Sequence, residues 1–185
     1  MRRPRRASLR RALQLGAALP LLAALGGCGP GRDEFAPACP VARPLPEAEH
    51  LRRYRDEARP GAEGPSDMVV DGLLLGSTGK CRPGDKKGTL AATMQVQMQL
   101  DRGPAAPPGG IDVPYFIAVA QGAHILSKQV FATHVAFPAD QSRVVMTSAP
   151  IAITMPIASN EAGALYTIWV GFQLTPGEFA AEGAH

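Results

Sequence analysis

Between Thr89 and Leu100 the side chains alternate without a break. Leu90, Ala92, Met94, Val96, Met98 and Leu100 share one parity, and Thr89, Ala91, Thr93, Gln95, Gln97 and Gln99 share the other. A helix would scatter these apolar residues round its circumference, whereas a strand places them all on one face. The same period returns near the C-terminus. There Tyr166, Ile168, Val170, Phe172 and Leu174 oppose Thr167, Trp169, Gly171 and Gln173. Other stretches read as strands too. Met68 to Ser77 is one, interrupted at Asp71-Gly72. Val113 to Gln121 and Ala123 to Phe137 form a hairpin turning at Gln121-Gly122. Arg143 to Pro156 is a run in which Pro150 demands an edge position or a break. Turn-forming segments separate them: Arg82 to Gly88, the loop RGPAAPPGG at 102–110, Pro138 to Gln141, and Ser159 to Gly163. Six to seven strands in about 120 residues predict an all-β, antiparallel β-sandwich over residues 66–185, of immunoglobulin-like or fibronectin-III-like build. A small barrel is the alternative, and parallel α/β folds are disfavoured because no helical pattern alternates with the strands.

The residues before the sandwich have a different character. Residues 29–46 hold five prolines and two glycines, the composition of an extended, semi-stiff tether. Glu47 to Ala58 reads as a short helix, with Pro46 in its first turn and Arg59-Pro60-Gly61 ending it. Leu51, Tyr54 and Ala58 would share its inner face, and Arg52, Arg53 and Arg55 would point outward, towards lipid headgroups or simply water. At the other end, Thr175 and Glu178 have the spacing of a capping box and open a helical turn.

The first 27 residues are an address. Six arginines precede an apolar run from Ala12 to Leu25, and no acidic residue is present. That run is too short to cross a bilayer comfortably and has the length of a signal-peptide core. Arg5-Arg6 and Arg10-Arg11 allow a twin-arginine route as well as the general one. Leu25-Gly26-Gly27-Cys28 follows, and it resembles the lipobox of bacterial lipoproteins. The resemblance implies cleavage before Cys28, diacylglyceryl attachment to its sulfur and acylation of its new amine. Cys28 would then be the first residue of a lipidated tether, 28–65, anchored at the periplasmic face of a membrane. Gly29 stands where such proteins carry aspartate for inner-membrane retention, which implies the outer membrane. The pieces RGPAA, VPYF, ILSKQVF and YTIWVGFQLTP are similar to small uncharacterised lipoproteins of Gram-negative, alphaproteobacterial type. That likeness spans about residues 66–178 and implies no activity.

Processing alters the charge argument. The chain of 185 residues carries 19 lysines and arginines against 16 acidic residues, but six of those arginines lie in the head. The remainder has 13 against 16, a net charge of −3, so no basic surface points to nucleic acid. With Cys28 assigned to lipid, Cys39 and Cys81 are an even pair in an oxidising compartment, and a disulfide between them is expected. Closing a loop of about 40 residues is worth roughly 4 kcal/mol in the chain-entropy treatment.

Catalytic motifs are weak. Gly76-Ser77-Thr78-Gly79-Lys80 lacks the P-loop's first glycine, Leu74 standing there, and lacks the hydroxyl residue after the lysine, where Cys81 stands. Ser77 and Lys80 have the spacing of serine–lysine acyl enzymes. That chemistry needs the serine to open a helix, and here the four residues end a strand and enter a Pro-Gly turn. Of the histidines, His124 and His134 stand roughly 33 Å apart along an extended strand, too far to share a metal, and His50 and His185 have no companions. No metal and no cofactor beyond the lipid on Cys28 is expected, and no enzyme activity. Trp169 falls on the polar parity of its strand beside Gly171. If that strand neighbours the one carrying Gln95, Gln97 and Gln99, the four residues make a binding face.

The expected role is thus a non-catalytic accessory or scaffold module that binds another envelope protein. A carrier of a small apolar ligand between the sheets is the alternative, requiring a cavity of several hundred Å³. A hydrolase using Ser77 and Lys80 is the third reading. The anchor has a direct test: Cys28→Ala should move the protein from the membrane to the soluble fraction. Unchanged membrane fractionation of that variant would remove the lipidation reading.

Overall fold

A computed structural model describes residues 38–55, 64–157 and 163–182, the side chains of 181 and 182 excepted. The signal, Cys28, most of the tether, the turn at Ser159–Ala162 and His185 lie outside the described residues. Nine strands are present among them: β1 (Val41–Pro44), β2 (His50–Tyr54), β3 (Met68–Pro83), β4 (Thr89–Arg102), β5 (Ile111–Gln121), β6 (His124–Val135), β7 (Arg143–Thr147), β8 (Ile151–Pro156) and β9 (Tyr166–Phe172). A helix α1 (Pro176–Glu182) follows.

The strands form two sheets stacked as a sandwich. One has the order β1-β9-β5-β6, with β1 parallel to β9 and the other pairs antiparallel. The other has the order β2-β3-β4-β7, with β8 also paired to β4. All pairs of this second sheet are antiparallel. The expected all-β sandwich is present: seven strands, β3 to β9, lie within residues 66–185 as expected, and β1 and β2 add two from the segment before it.

The alternation in β4 is realised residue for residue. Leu90, Ala92, Met94, Val96, Met98 and Leu100 are all buried between the sheets. They meet Tyr166, Ile168, Val170 and Phe172 of β9, and Val113, Tyr115, Ile117 and Val119 of β5, in one apolar core. β5 and β6 turn at Gly122, whose φ of 57° suits the two-residue hairpin that takes glycine at its first central position. The run from Arg143 to Pro156 divides at Pro150 into β7 and β8, and both halves pair with β4 alone. Between them Ser148 keeps the ladder closed: its N–H donates to Val96 O (2.8 Å) and its Oγ accepts from Val96 N (3.0 Å). The Tyr166 hydroxyl donates to the Pro156 carbonyl, joining β9 to β8 across the sheets.

Two expectations are corrected near the N-terminus. Glu47 to Arg55, the described part of the expected helix, is not α-helical, and residues 56–58 lie outside the described residues. A 3₁₀ turn at Pro46–Ala48 leads into strand β2, whose Leu51 is fully buried beside Gly72. Pairing to β3 and burial of Leu51 outweigh the helix propensity of a charge-rich segment, which is worth only tenths of a kcal/mol per residue. The stretch read as tether contributes β1, which has a partner on one side only, so its flanking prolines remove no ladder hydrogen bond that the sheet needs. The sandwich therefore takes in strands well before residue 66.

β3 also runs longer than expected. Asp71-Gly72 does not interrupt it. A Cβ on Gly72 would lie 3.0 Å from Leu100 Cδ2 and 3.1 Å from Phe172 Cζ, so the glycine makes room for the core. The strand continues past Ser77 to Pro83, with an extra residue, Leu75, bulging between Leu74 and Gly76. Cys81 sits near its end and is joined to Cys39 just before β1, with Cα atoms 5.6 Å apart. The disulfide thus ties one sheet to the other. Two variants probe this core. Phe172→Ala should cost about 3–5 kcal/mol in urea unfolding of the oxidised protein. Gly72→Val should cost about 1–3 kcal/mol through overpacking; a midpoint unchanged by that variant would contradict the position of Gly72 beneath Phe172.

Candidate functional site

The residues expected to share one binding face do not. Gln95, Gln97 and Gln99 lie on β4 in the five-stranded sheet, and Trp169 lies on β9 in the four-stranded one. Both project away from the core, so they occupy opposite sides of the sandwich. The glutamines serve their own sheet. Gln95 Nε2 donates to Ser148 O (3.0 Å), and Gln99 Nε2 donates to Asp101 Oδ2 (3.0 Å), while Gln97 is exposed. Charges nearby are matched: Arg143 donates to Asp101 (2.6 Å), and Arg52 lies 3.5 Å from Asp71.

The outer side of the four-stranded sheet is different in kind. Register places Arg43, Trp169, Ala118 and Lys128 in one row across β1, β9, β5 and β6. The next row holds Gly171, Phe116 and Val130. The Phe116 ring lies over Gly171, where a Cβ would come within 2.5 Å of it. Phe116, Ala118 and Ala48 form a second, smaller apolar cluster, with Leu45, Trp169 and Leu174 packed against it. Trp169 is half-buried, and the Arg43 guanidinium stands 5.6 Å from its ring centroid. The Lys128 ammonium stands 4.2 Å from that of Phe116. These are cation–π distances, and they keep two positive charges on an apolar face. Beside Lys128 an open groove of about 470 Å³ runs over Phe116, with Leu45, Leu174 and Phe179 on its walls.

β6 is the edge of this sheet opposite β1. Ile125, Leu126 and Val130 are 68%, 47% and 56% exposed. Ser127 and Gln129 stand opposite the buried Val119 and Ile117 and are exposed as well. From His124 to Val130 every residue is exposed, and among the described residues β6 pairs with β5 alone.

Ser77 and Lys80 stand mid-strand rather than at a strand end. Their odd separation along β3 sends them to opposite faces, Ser77 inward across from Val96 and Lys80 outward across from Thr93. The Ser77 Oγ is buried without a hydrogen-bond partner, in a cleft of about 200 Å³ beside the disulfide. Between the sheets the described core side chains form one contiguous apolar cluster.

The arginines expected on one outer helix face are dispersed by strand geometry. Arg53 Nε donates to the buried Glu178 (2.9 Å), and its Nη1 to Asp112 O (3.2 Å), tying β2 to α1 and to β5. Glu178 also accepts from Thr175 N (2.7 Å), while its own N–H donates to Thr175 Oγ1 (3.2 Å), completing the expected capping box. His50 and His124 are exposed, and no group of three or more metal-ligating side chains occurs among the described residues. No helix among them is long and apolar enough to cross a membrane.

Sequence reasoning missed Phe116, Lys128, Arg43 and the open edge. A signal was available in Tyr115 to Ala120, YFIAVA, which is apolar on both parities and so requires cover on both faces. Comparison with protein-family models, with curated proteins and with solved structures gives no match.

His134 has a distinct electrostatic setting. Its Nδ1 lies 2.9 Å from Asp112 Oδ1 and its Nε2 lies 3.1 Å from Gly109 O. Both nitrogens face acceptors, and only the imidazolium can donate from both. The hydrogen bond to Asp112, and then that to Gly109, hold its pKa above the usual histidine value. Because the folded value is raised, the stabilisation is fully present below the unfolded pKa of about 6.5 and is lost as pH rises through the folded one. In an NMR titration His134 should change charge above the ordinary histidine value, and Asp112→Asn should bring its midpoint down. A midpoint unmoved by that substitution would contradict the pairing.

Proposed function

We propose that the protein is a membrane-anchored accessory module of the cell envelope, lipidated at Cys28 and facing the periplasm. It binds another envelope protein by taking an extended segment of that protein onto the edge of β6. The observation that carries this reading is the state of β6 between His124 and Val130: exposed on both faces, rich in apolar side chains and unpaired along one edge. Edges of this kind pair readily with further strands, and proteins that do not use them blunt them with charges, prolines or cover. Here Lys128 is the only charged side chain from Ile125 to Phe131. Strand addition would draw affinity from main-chain hydrogen bonds and selectivity from alternate side chains.

A carrier holding an apolar ligand between the sheets draws less support, because the described core side chains form one contiguous apolar cluster there. The opposed directions of Ser77 and Lys80 lend none to a serine–lysine hydrolase.

The test is in-cell photo-crosslinking from Leu126 and Val130, with Gln97 of the other sheet as the control position. The expected result is one discrete adduct from the β6 positions, joined through an extended stretch of an envelope protein, and none from Gln97. Equal labelling from both sheets, or no adduct from β6, would remove the strand-addition reading.

A further inference from the structure

We infer that the outer face of the four-stranded sheet rests on an anionic phospholipid surface, so that the sandwich lies on the membrane rather than hanging free below it. The inference rests on the lipid anchor proposed at Cys28 and adds an orientation to it. Three observations carry it.

The first is the chemistry of the face. Val130 and Phe179 are exposed, Trp169 and Leu45 are half-buried, and the buried Phe116 lines an open groove beside Lys128. Aromatic side chains with one polar atom favour the zone where headgroups meet acyl chains. A slot lined by leucine and phenylalanine with an ammonium at its rim suits an acyl chain below a phosphate.

The second is charge. Arg43 and Lys128 stand at the two ends of one row, about 14 Å apart by strand spacing. Neither pairs with a carboxylate among the described residues, and each sits over an aromatic ring. On the opposite sheet Arg52 and Arg143 are matched by Asp71 and Asp101. Among the described acidic groups near this face, Asp112 is engaged by His134 and Glu178 of α1 by Arg53, and Glu47 lies on the 3₁₀ turn. Cations left unmatched on an apolar face complement the phosphates of phosphatidylglycerol-type lipids.

The third is where the tether arrives. The disulfide fixes Cys39 immediately before β1, the edge strand of this same sheet. Ten residues lie between Cys28 and Cys39, so the eleven steps span about 40 Å at full extension and less when relaxed. A lipidated Cys28 therefore holds the face at high effective concentration beside the bilayer, so a weak face affinity suffices to orient the domain.

Trp169 is the only tryptophan in the chain, so its fluorescence reports on this face alone. The lipidated full chain is reconstituted into vesicles of phosphatidylethanolamine and phosphatidylglycerol carrying bromine on their acyl chains, and into brominated phosphatidylcholine vesicles for comparison. In the anionic vesicles Trp169 emission should shift to the blue and be quenched, with much less of either in phosphatidylcholine. Arg43→Gln with Lys128→Gln should abolish the quenching while the protein still floats with the vesicles. Arg143→Gln, on the other sheet, should leave it intact. A protein that floats with anionic vesicles while Trp169 stays unquenched overturns the inference and leaves the anchor standing. A protein that does not float shows instead that the anchor reading has failed.

Discussion

Burial of one face of β4 is the constraint on which the rest of the structure depends. Its six inward side chains meet β5 and β9 across the sandwich, and its two edges are both occupied. β3 runs along one edge for almost its whole length, and β7 and β8 divide the other. A one-residue slip of β4 would send Leu90 through Leu100 to water and bring Gln95, Gln97 and Gln99 into the core. That cost fixes the register of β3, β7 and β8 along with its own. It also explains the local devices beside it. Gly72 is small because Leu100 and Phe172 converge on it, and Ser148 turns its backbone and hydroxyl to Val96 so that a proline break leaves no ladder group unpaired.

The N-terminal strands complete the sandwich at its weaker positions. β1 adds four residues in parallel to β9, and β2 adds five to β3. Neither is long enough to be stable alone, and each is secured by a bond of another kind. The disulfide from Cys39 to Cys81 holds the start of β1 against the opposite sheet, and its chain-entropy contribution is about 4 kcal/mol. The pair of Arg53 with buried Glu178 holds β2 to α1. A pull on the chain before Cys39 would reach the domain at that residue, where the disulfide to β3 would receive it.

These same places mark how far the sequence was legible. β4 and β9 were readable because one face is buried and one is wet, so their period of two survives in the residue types. The β5–β6 hairpin was readable from Gln121-Gly122, and the break in the β7–β8 run from Pro150. β2 was misread because the leucine, tyrosine and alanine in EAEHLRRYRDEA satisfy helical spacing, while the evidence for a strand lies in β3, nearly twenty residues away. Gly72 looked like an interruption because its reason, the ring of Phe172, is a hundred residues distant. The binding face was misassembled for a related cause. Alternation says which residues share a face of one strand, but not which strands share a sheet, and the order β1-β9-β5-β6 is set by long-range pairing.

The two sides of the sandwich then differ in a way that core packing alone does not require. On the five-stranded side, glutamines and the ion pairs Arg52–Asp71 and Arg143–Asp101 share the surface with Lys80 and the exposed Val145. On the other, Phe116 covers Gly171, Trp169 lies half-buried, and both cations are spent on aromatic rings rather than on carboxylates. A face resting on lipid and an edge receiving a strand are compatible demands, because the first uses side chains pointing away from the core and the second uses the backbone of β6 in the plane of the sheet. A segment added at that edge would extend the sheet along the membrane surface instead of away from it. Lys128 would serve both: on lipid it would meet a phosphate, and at the edge it would oppose pairing with a second copy of β6, where two such strands would bring like charges together. The arrangement favours a partner strand that is uncharged or acidic opposite Lys128 over self-association.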